Sequence, residues 1–192
     1  MKRGMARPKE FDVDAAVEIA VGVFRERGYE GTSAAMLVEA MGIGRQSLYD
    51  TFGDKWGVYC EALRHYCEEE SRAHREALAS TDRAFDGVRA MLERVVAERD
   101  PGCLGIGSVV EFGMTQPEIV KIRSSFGKLL NKAVIDALTK ARAQGDVAPD
   151  LDLPQLATFL LNTISTIRLA ARGGAPRDHV AAIAELALRA LG

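Results

Sequence analysis

Residues 32–55, TSAAMLVEAMGIGRQSLYDTFGDK, contain two short helical patterns separated by a break that contains glycine. Thr32 and Ser33 are favourable N-cap residues, and the apolar side chains after them recur at the spacing of a short amphipathic helix. Gly42 occupies the position of a left-handed C-cap, and Ile43 is placed to fill the angle between this helix and the next. The stretch therefore predicts two helices that meet at a tight turn.

The second of these helices, predicted over about residues 45–52, has an apolar side and a polar side. Leu48, Phe52 and the ring of Tyr49 are expected to face the core. The exposed N-terminal end then presents three polar side chains, which are Arg45, Gln46 and Ser47. Such side chains bond base edges and phosphates when a helix enters the major groove of DNA. The two helices therefore predict a helix-turn-helix DNA-binding unit.

The same stretch resembles the N-terminal domain of the TetR family of transcriptional regulators. The resemblance covers roughly residues 10–60 and is carried by Gly28, Tyr29, Thr32, Ser33, Gly42, Leu48, Tyr49, Phe52 and Lys55. It implies a homodimer that binds double-stranded operator DNA, with phosphate contacts from the Tyr49 hydroxyl and from Lys55. Thr32 and Ser33 lie at a helix N-terminus, which is itself an anion site. Gly44 stands where the family more often has Ser, so we expect the second helix to lack a side-chain cap.

The composition is that of a globular helical protein. A chain of 192 residues with 47% hydrophobic side chains and few aromatic ones is long enough for one or two small helical domains. The net charge of −2 is unusual for a DNA-binding protein, so the charge that matters for DNA must be local. Residues 1–11 hold four basic side chains and one acidic one. We expect either a flexible arm that follows the phosphate backbone or a solvated terminus without a role.

Taken in order, the chain predicts an all-α protein of three parts. A flexible basic arm over residues 1–11 precedes a three-helix DNA-binding domain over 12–54, whose supporting first helix ends at Gly28. Residues 55–192 are expected to form a helical domain for effector binding and dimerisation. Its helices are predicted over residues 55–78, 83–99, 117–143, 153–172 and 177–191. Residues 103–114 fit either a buried strand or a short helix, and we expect a helix because no second strand is visible to pair with it.

Other classes of protein find little support. The sequence shows no alternation of strands and helices, no phosphate-binding glycine loop and no protease or esterase motif, so we expect no enzyme and no cofactor. It has no run of 18 apolar residues and no signal-peptide core, so we expect a cytoplasmic protein that does not bind membranes. The main alternative is an all-helical scaffold or adaptor in which the helix-turn-helix is only a structural corner.

The helix predicted over residues 55–78 carries two further patterns. Glu69 and Glu70 are expected on its exposed face. Three potential metal ligands follow at steps of seven, which are Cys60, Cys67 and His74. Because seven residues of helix span about 10 Å, one ion cannot take neighbouring ligands from this trio, and we expect no metal site.

The C-terminal domain is the expected place for a regulatory signal. Many inward side chains between about residues 59 and 130 are apolar or aromatic, and the resemblance implies a small-molecule pocket whose occupancy changes the spacing of the two DNA-binding domains. We expect an effector of largely apolar character, with an ordinary core as the alternative. The residues expected to line the pocket are Tyr59, Leu63, Tyr66, Met91, Val95, Cys103, Val110, Glu111, Met114 and Phe126.

Two of these residues are chemically distinctive. Glu111 lies in an apolar run, where an unpaired buried carboxylate is costly, so we expect it either to bind a ligand or to pair with Lys121 or Arg123. Cys103 is placed at a helix start, where the helix dipole favours a reactive thiolate. The alternative for Cys103 is inert packing in the core.

The last two predicted helices alternate small and large side chains, which allows a partner helix to approach closely. Two helices from each subunit would form a four-helix interface, although the same pattern would also close the core of a monomer. The family resemblance favours the interface. Its expected residues are Leu156, Phe159, Leu160, Thr163, Ile167, Val180, Ile183 and Ala187. We therefore expect a ligand-responsive, homodimeric DNA-binding regulator, most simply a repressor, that binds a palindromic operator.

Overall fold

The computed structural model describes residues 11–98 and 102–192, and in these residues the chain forms nine α-helices and no strand. The helices are α1 (Val13–Arg27), α2 (Ala34–Met41), α3 (Arg45–Phe52), α4 (Lys55–Leu78), α5 (Ala84–Ala97), α6 (Leu104–Phe112), α7 (Pro117–Ala143), α8 (Leu153–Arg172) and α9 (Arg177–Arg189). The all-α prediction is confirmed, and residues 103–114 are helical for most of their length. The predicted basic arm, apart from Phe11, lies outside the described residues. None of the described helices is long and apolar enough to cross a membrane.

Short polar side chains at the N-caps set the start of several helices. The Asp12 carboxylate accepts hydrogen bonds from the backbone N–H groups of two residues in the first turn of α1. Ser33 accepts one such hydrogen bond at the start of α2, Asp54 one at the start of α4 and Asp152 one at the start of α8. Each cap satisfies a backbone donor that has no partner within the helix, so these boundaries follow from the local sequence.

The helices enclose two hydrophobic clusters, and α4 contributes to both. The N-terminal cluster is built from α1 to α3, the first half of α4, α6 and the start of α7. The C-terminal cluster is built from the end of α4 together with α5, α7, α8 and α9. Val58, Tyr59 and Leu63 lie in the first cluster, whereas Leu78 lies in the second. A shift of α4 therefore cannot occur without repacking both clusters.

The predicted dimer residues lie mainly inside the single chain. Five of them are buried in the C-terminal cluster, which are Leu156, Leu160, Ile167, Val180 and Ala187, and Thr163 is also buried, at 5% exposure. Ile183 is half-buried, and only Phe159 is exposed, at 45%. The helical period explains this result, because apolar positions spaced by three or four residues lie on the face that packs against the other helices. The outward faces of α8 and α9 instead expose Phe159, Leu169 and Leu186.

Candidate nucleic-acid interface and internal cavity

The turn between α2 and α3 holds the two helices at a fixed angle. Gly42 adopts a left-handed conformation with φ +64°, which favours glycine, and its N–H donates to the carbonyls of the last turn of α2. Ile43 follows it and is only 9% exposed, so its side chain fills the corner between the helices. Leu37 of α2 and Leu48 of α3 are fully buried beneath the turn. The predicted helix-turn-helix is therefore present.

The polar face of α3 points outward. Arg45 and Gln46 are exposed and Ser47 is half-exposed. Tyr49 is 39% exposed, with the Arg45 guanidinium 5.9 Å from its ring centroid, so the prediction that its ring faces the core is wrong. Tyr49 lies one turn after Arg45 and shares its face, whereas Leu48 points to the opposite side. The result is a larger contact surface than the sequence predicted.

The start of α3 is open as well as polar. Gly44 is the N-cap residue and makes no side-chain hydrogen bond to the helix, as expected from its lack of a side chain. The first backbone N–H groups of α3 therefore remain available, and they carry the positive end of the helix dipole. This end of α3 can accept a phosphate while the side chains beside it contact bases.

Three other predicted DNA contacts differ in how free their side chains are. Ser33 is exposed, and its oxygen caps α2 by accepting from Met36 N at 3.2 Å, which leaves its hydroxyl proton free. Thr32 is only 2% exposed, and its hydroxyl donates to Gly28 O at 2.7 Å. As the structure stands, the Thr32 side chain is therefore a structural group and not a surface contact.

Lys55 holds the turn before α2 in place. Its Nζ donates to Tyr29 O at 3.0 Å and to Thr32 O at 2.9 Å, and it lies 3.9 Å from the centroid of the Tyr29 ring. Since an ammonium group has three N–H donors, one remains for a phosphate. The first role of Lys55 in this structure is to join the start of α4 to the α1–α2 turn.

Helix α6 contacts the turn between α1 and α2. Both carboxylate oxygens of Glu111 lie 2.9 Å from Tyr29 N, so Glu111 pairs with the α1–α2 turn and with neither Lys121 nor Arg123. Glu111 is exposed, which removes the expected cost of burying its charge. Phe112 packs with its ring centroid 5.5 Å from that of Tyr29. These contacts connect the C-terminal domain to the base of the helix-turn-helix.

A cavity of about 280 Å³ lies between α4, α6, α7 and α8. Of the ten residues predicted to line a pocket, Tyr66, Cys103 and Phe126 line it. The other predicted residues lie elsewhere. Tyr59 and Leu63 are in the N-terminal cluster, Met91 and Val95 in the C-terminal cluster, and Val110, Glu111 and Met114 on the surface. Only one face of each helix can line the cavity. The apolar character of a side chain does not show whether it lies on that face or on a face that packs in one of the two clusters.

A network of charged side chains lies at the cavity wall. Glu70 pairs with Arg94 Nη2 at 3.0 Å and with Arg168, and the three side chains are 23%, 16% and 10% exposed. The prediction that Glu70 faces solvent is wrong, because the inward face of α4 continues through it. Burial alone would raise the pKa of the Glu70 carboxyl, but the guanidiniums of Arg168 and Arg94 outweigh it and hold that pKa below its usual value. The carboxylate is therefore charged at neutral pH.

His74 lies beside this network and is 3% exposed. Its ring nitrogens are 3.1 Å and 3.2 Å from Arg94 Nη2. Burial, and next the charge of Arg94, lower the pKa of His74 to about 3. The imidazole is therefore neutral and accepts a hydrogen bond from Arg94. The sequence contained a signal for this wall, because Tyr66, Glu70 and His74 repeat every four residues on an otherwise apolar face.

The neutral state of His74 makes stability depend on pH. Between pH 6.5 and 3 the unfolded chain binds a proton at this histidine and the folded chain does not, so stability falls as pH falls. From pH 7.5 to 5.5 we expect a loss of about 1 kcal/mol from this group. Urea unfolding at the two pH values would measure it in wild type and in His74→Gln. The Gln variant should lose this part of the dependence, and the exposed control His179→Gln should retain it. An equal pH dependence in wild type and His74→Gln would contradict the assignment.

Comparisons with known proteins agree with this geometry. Residues 16–61 match the family described as bacterial regulatory proteins, tetR family. The chain is 34% identical over 182 residues to the HTH-type transcriptional regulator YezE of Bacillus subtilis, covering 92% of this chain and 94% of that protein. It is 29% identical over 195 residues to the HTH-type transcriptional repressor ComR of Escherichia coli, covering 98% and 93%.

A solved structure is similar over almost the whole chain. It contains a cysteine mutant of the TetR family transcriptional regulator CifR in complex with 26 bp double-strand operator DNA. The similarity has a TM-score of 0.78 with 35% identity, and it covers 97% of this chain and 100% of that chain. The helix-turn-helix, the all-α C-terminal part and the full-length similarity to these regulators lead to one conclusion. The chain belongs to the TetR family of bacterial regulatory proteins and is a DNA-binding transcriptional regulator.

Proposed function

We propose that the protein is a homodimeric repressor that binds a palindromic operator and responds to a small molecule. The observation that carries the proposal is the outward polar face of α3, held on a helix-turn-helix whose other face is buried. The repressor name of ComR and the operator complex of CifR support it by similarity. We divide the chain as a DNA-binding domain over residues 12–54 and an effector and dimerisation domain over 55–192, with α4 joining the two.

In this proposal the N-terminal ends of α3 and α2 both contact DNA. Arg45, Gln46 and Ser47 contact base edges and nearby phosphates, and the Tyr49 hydroxyl reaches the backbone. Ser33 and the N-terminus of α2 supply a second phosphate contact. Lys55 adds its remaining N–H donor, while Thr32 acts by shaping the turn. The two copies of α3 in a dimer would lie about 34–36 Å apart, which is one turn of DNA.

The dimer would form through the outward faces of α8 and α9. These faces expose Phe159 at 45%, Leu169 at 60% and Leu186 at 65%, and large exposed apolar side chains grouped on packed helices are typical of subunit interfaces. Several small or polar side chains of α8 lie between them, such as Asn162 and Thr166. The helices of the partner can therefore approach closely, as in a four-helix interface.

Placing charge on this face should separate the subunits. We expect Phe159→Glu combined with Leu186→Glu to convert the dimer to a folded monomer, because two carboxylates in each subunit would be desolvated in the interface. Sedimentation velocity would measure the change, and circular dichroism would show that the helices persist. The matched control is Val110→Glu, a charged substitution at a residue of α6 that is 77% exposed. A double variant that remains dimeric would place the interface elsewhere.

The cavity is the proposed effector site, and α6 connects it to the DNA-binding domain. Cys103, Ile106 and Val109 of this segment line the cavity, while Glu111 of the same helix pairs with the turn before α2. A ligand that fits one position of α6 better than another would therefore change the orientation of the helix-turn-helix. Apart from the charged network, the cavity wall is mainly apolar, which favours a largely apolar effector.

The experiment that tests the function is direct DNA binding. Purified wild-type protein would be titrated with fragments of its own upstream DNA at two salt concentrations. We expect specific binding that weakens steeply with salt, since the bound phosphates release counterions. If no fragment binds, selection from random sequences follows. Failure of that selection too would favour the alternative of an all-helical scaffold.

A further inference from the structure

Three hydrogen-bond donors converge on the sulfur of Cys103. The Tyr66 hydroxyl lies 3.3 Å from Sγ, Arg168 Nη1 lies 3.4 Å from it, and Ile106 N in the first turn of α6 lies 3.5 Å from it. A hydrogen bond from a guanidinium is strongest when the acceptor is negatively charged. Three donors are therefore aimed at the atom that carries the negative charge in a thiolate, which is the nucleophilic form of cysteine.

The other two cysteines have different surroundings. Burial raises the pKa of the Cys60 thiol to about 12, and burial also raises the pKa of the Cys67 thiol to about 12. Both therefore remain protonated and weakly nucleophilic at neutral pH. Cys67 lines the same cavity as Cys103. A reagent that enters the cavity therefore meets both thiols, and their rates of reaction can be compared directly.

The cavity next to Cys103 contains polar groups that its own chain does not satisfy. Ser71 is 4% exposed and lines the cavity, and its hydroxyl has no hydrogen-bond partner among the described residues. Arg123 also lines the cavity, with one guanidinium nitrogen, Nη1, buried and without a partner there. Buried polar groups are normally paired, so these two indicate a bound molecule with a hydrogen-bond acceptor. A carbonyl oxygen is a suitable acceptor for either of these donors.

Access to the sulfur is helped by a glycine. Gly105 lines the cavity, and a Cβ at this position would lie 3.7 Å from Cys103 Sγ and 3.9 Å from the Tyr66 ring. A larger side chain there would cover the sulfur on the cavity side. The glycine leaves room for a ligand atom to approach it.

We propose that Cys103 is a covalent attachment site for apolar α,β-unsaturated carbonyl compounds that enter this cavity. The inference deepens the proposed function, because it names the chemical class of the effector and how it is retained. The sulfur bonds to the β-carbon of the compound, and the electrons of its carbon–carbon double bond move toward the carbonyl oxygen. The proton lost by the thiol returns through water to the α-carbon. Nothing leaves, and no oxidant or reductant is needed.

A modified Cys103 would affect the DNA-binding domain through one arginine. Arg25, at the end of α1, donates from Nε to Gly102 O at 2.6 Å, directly before Cys103 in the chain. Its guanidinium also lies 5.4 Å from the centroid of the Tyr66 ring, and Tyr66 is itself a donor to the sulfur. A group added to the sulfur displaces these donors and shifts the segment that Arg25 holds.

The test uses the full-length protein and 2-cyclohexen-1-one as the probe, with its saturated analogue cyclohexanone as the control reagent. Intact mass and peptide mapping would follow adduct formation with time. We expect one adduct, at Cys103, formed about tenfold faster than any adduct at Cys67, and none with cyclohexanone. Cys60→Ser, which lies in the N-terminal cluster and does not line the cavity, should react like wild type, and Cys103→Ser should not react. Tyr66→Phe should react several-fold more slowly, because it lacks one donor to the sulfur.

Two results would overturn the inference. One is first modification at Cys60 or Cys67, and the other is no adduct at Cys103 in folded wild type. Operator binding after treatment gives the regulatory readout, with reduced affinity expected for wild type and Cys60→Ser and no change for Cys103→Ser. An adduct that leaves wild-type affinity unchanged would overturn the regulatory role. If untreated protein binds no DNA, the proposed function fails, while the adduct mapping still decides the chemistry of Cys103.

Discussion

Replacing Arg45 and Gln46 together by alanine is expected to lower operator affinity by about 100-fold or more. Both side chains are exposed at the N-terminal end of α3, where a recognition helix meets base edges. A good contact of either residue with a base contributes about 1–3 kcal/mol, and each 1.4 kcal/mol corresponds to about a tenfold change in affinity. In a dimer the loss occurs in both half-sites. Titration of labelled operator DNA in fluorescence anisotropy would measure it.

The fold of this double variant should be unchanged, because neither side chain is buried. Gln46 loses only a surface hydrogen bond to Asp50, at 2.7 Å. The matched control is Lys140→Ala, which removes an exposed positive charge from α7, away from α3. That control should bind the operator like wild type. Unchanged affinity in the double variant, with the dimer intact, would mean that α3 is a structural corner and would support the scaffold alternative.

Replacing Glu70 by alanine is expected to cost about 3–5 kcal/mol of unfolding free energy. The carboxylate is the shared partner of Arg94 and Arg168, and their side chains are only 16% and 10% exposed. Without it, two guanidiniums remain near each other in a largely buried space. In the variant Arg94 still has Glu98 as a partner, at 2.5 Å, and Arg168 still donates to the Tyr66 hydroxyl, at 2.6 Å. The protein should therefore still fold.

Urea unfolding at neutral pH would measure this loss, and Glu69→Ala is the matched control. Glu69 is the neighbouring residue in the chain, but its partner Arg72 lies on the surface, with both side chains about half-exposed. Its removal should change stability little, since exposed ion pairs contribute little. Similar losses for the two variants would show that the inward network does not hold α4, α5 and α8 together. Glu70→Gln, which retains an acceptor without the charge, should fall between wild type and Glu70→Ala.

The DNA-binding half was predictable because its determinants are local in the sequence. Ser33 and Asp54 cap helices through backbone N–H groups three residues away, and Gly42 ends α2 by adopting a conformation that other residues disfavour. The apolar spacing then places Leu48 inward and Arg45 outward. These interactions act within about one turn of helix, so residue order contains nearly all the information they require.

Parts of the same half nevertheless depended on contacts that are distant in the chain. Lys55 bonds carbonyls 26 and 23 residues before it, and Glu111 bonds the N–H of Tyr29 across 82 residues. No local rule indicates which of several exposed polar groups will be neighbours after folding. The sequence therefore identified the residues of this surface better than it identified their partners.

The sequence alone was sufficient for the helices, the family and the polar face of α3, because capping, turn conformation and helical period are short-range effects. Tertiary packing alone decided which face of each C-terminal helix is inside. It turned Glu70 toward Arg94 and Arg168, buried most of the α8 residues expected at an interface, and opened the cavity beside Cys103. An amphipathic pattern shows that a helix has an inner face but does not name its partner. The partner follows from how all the helices pack at once.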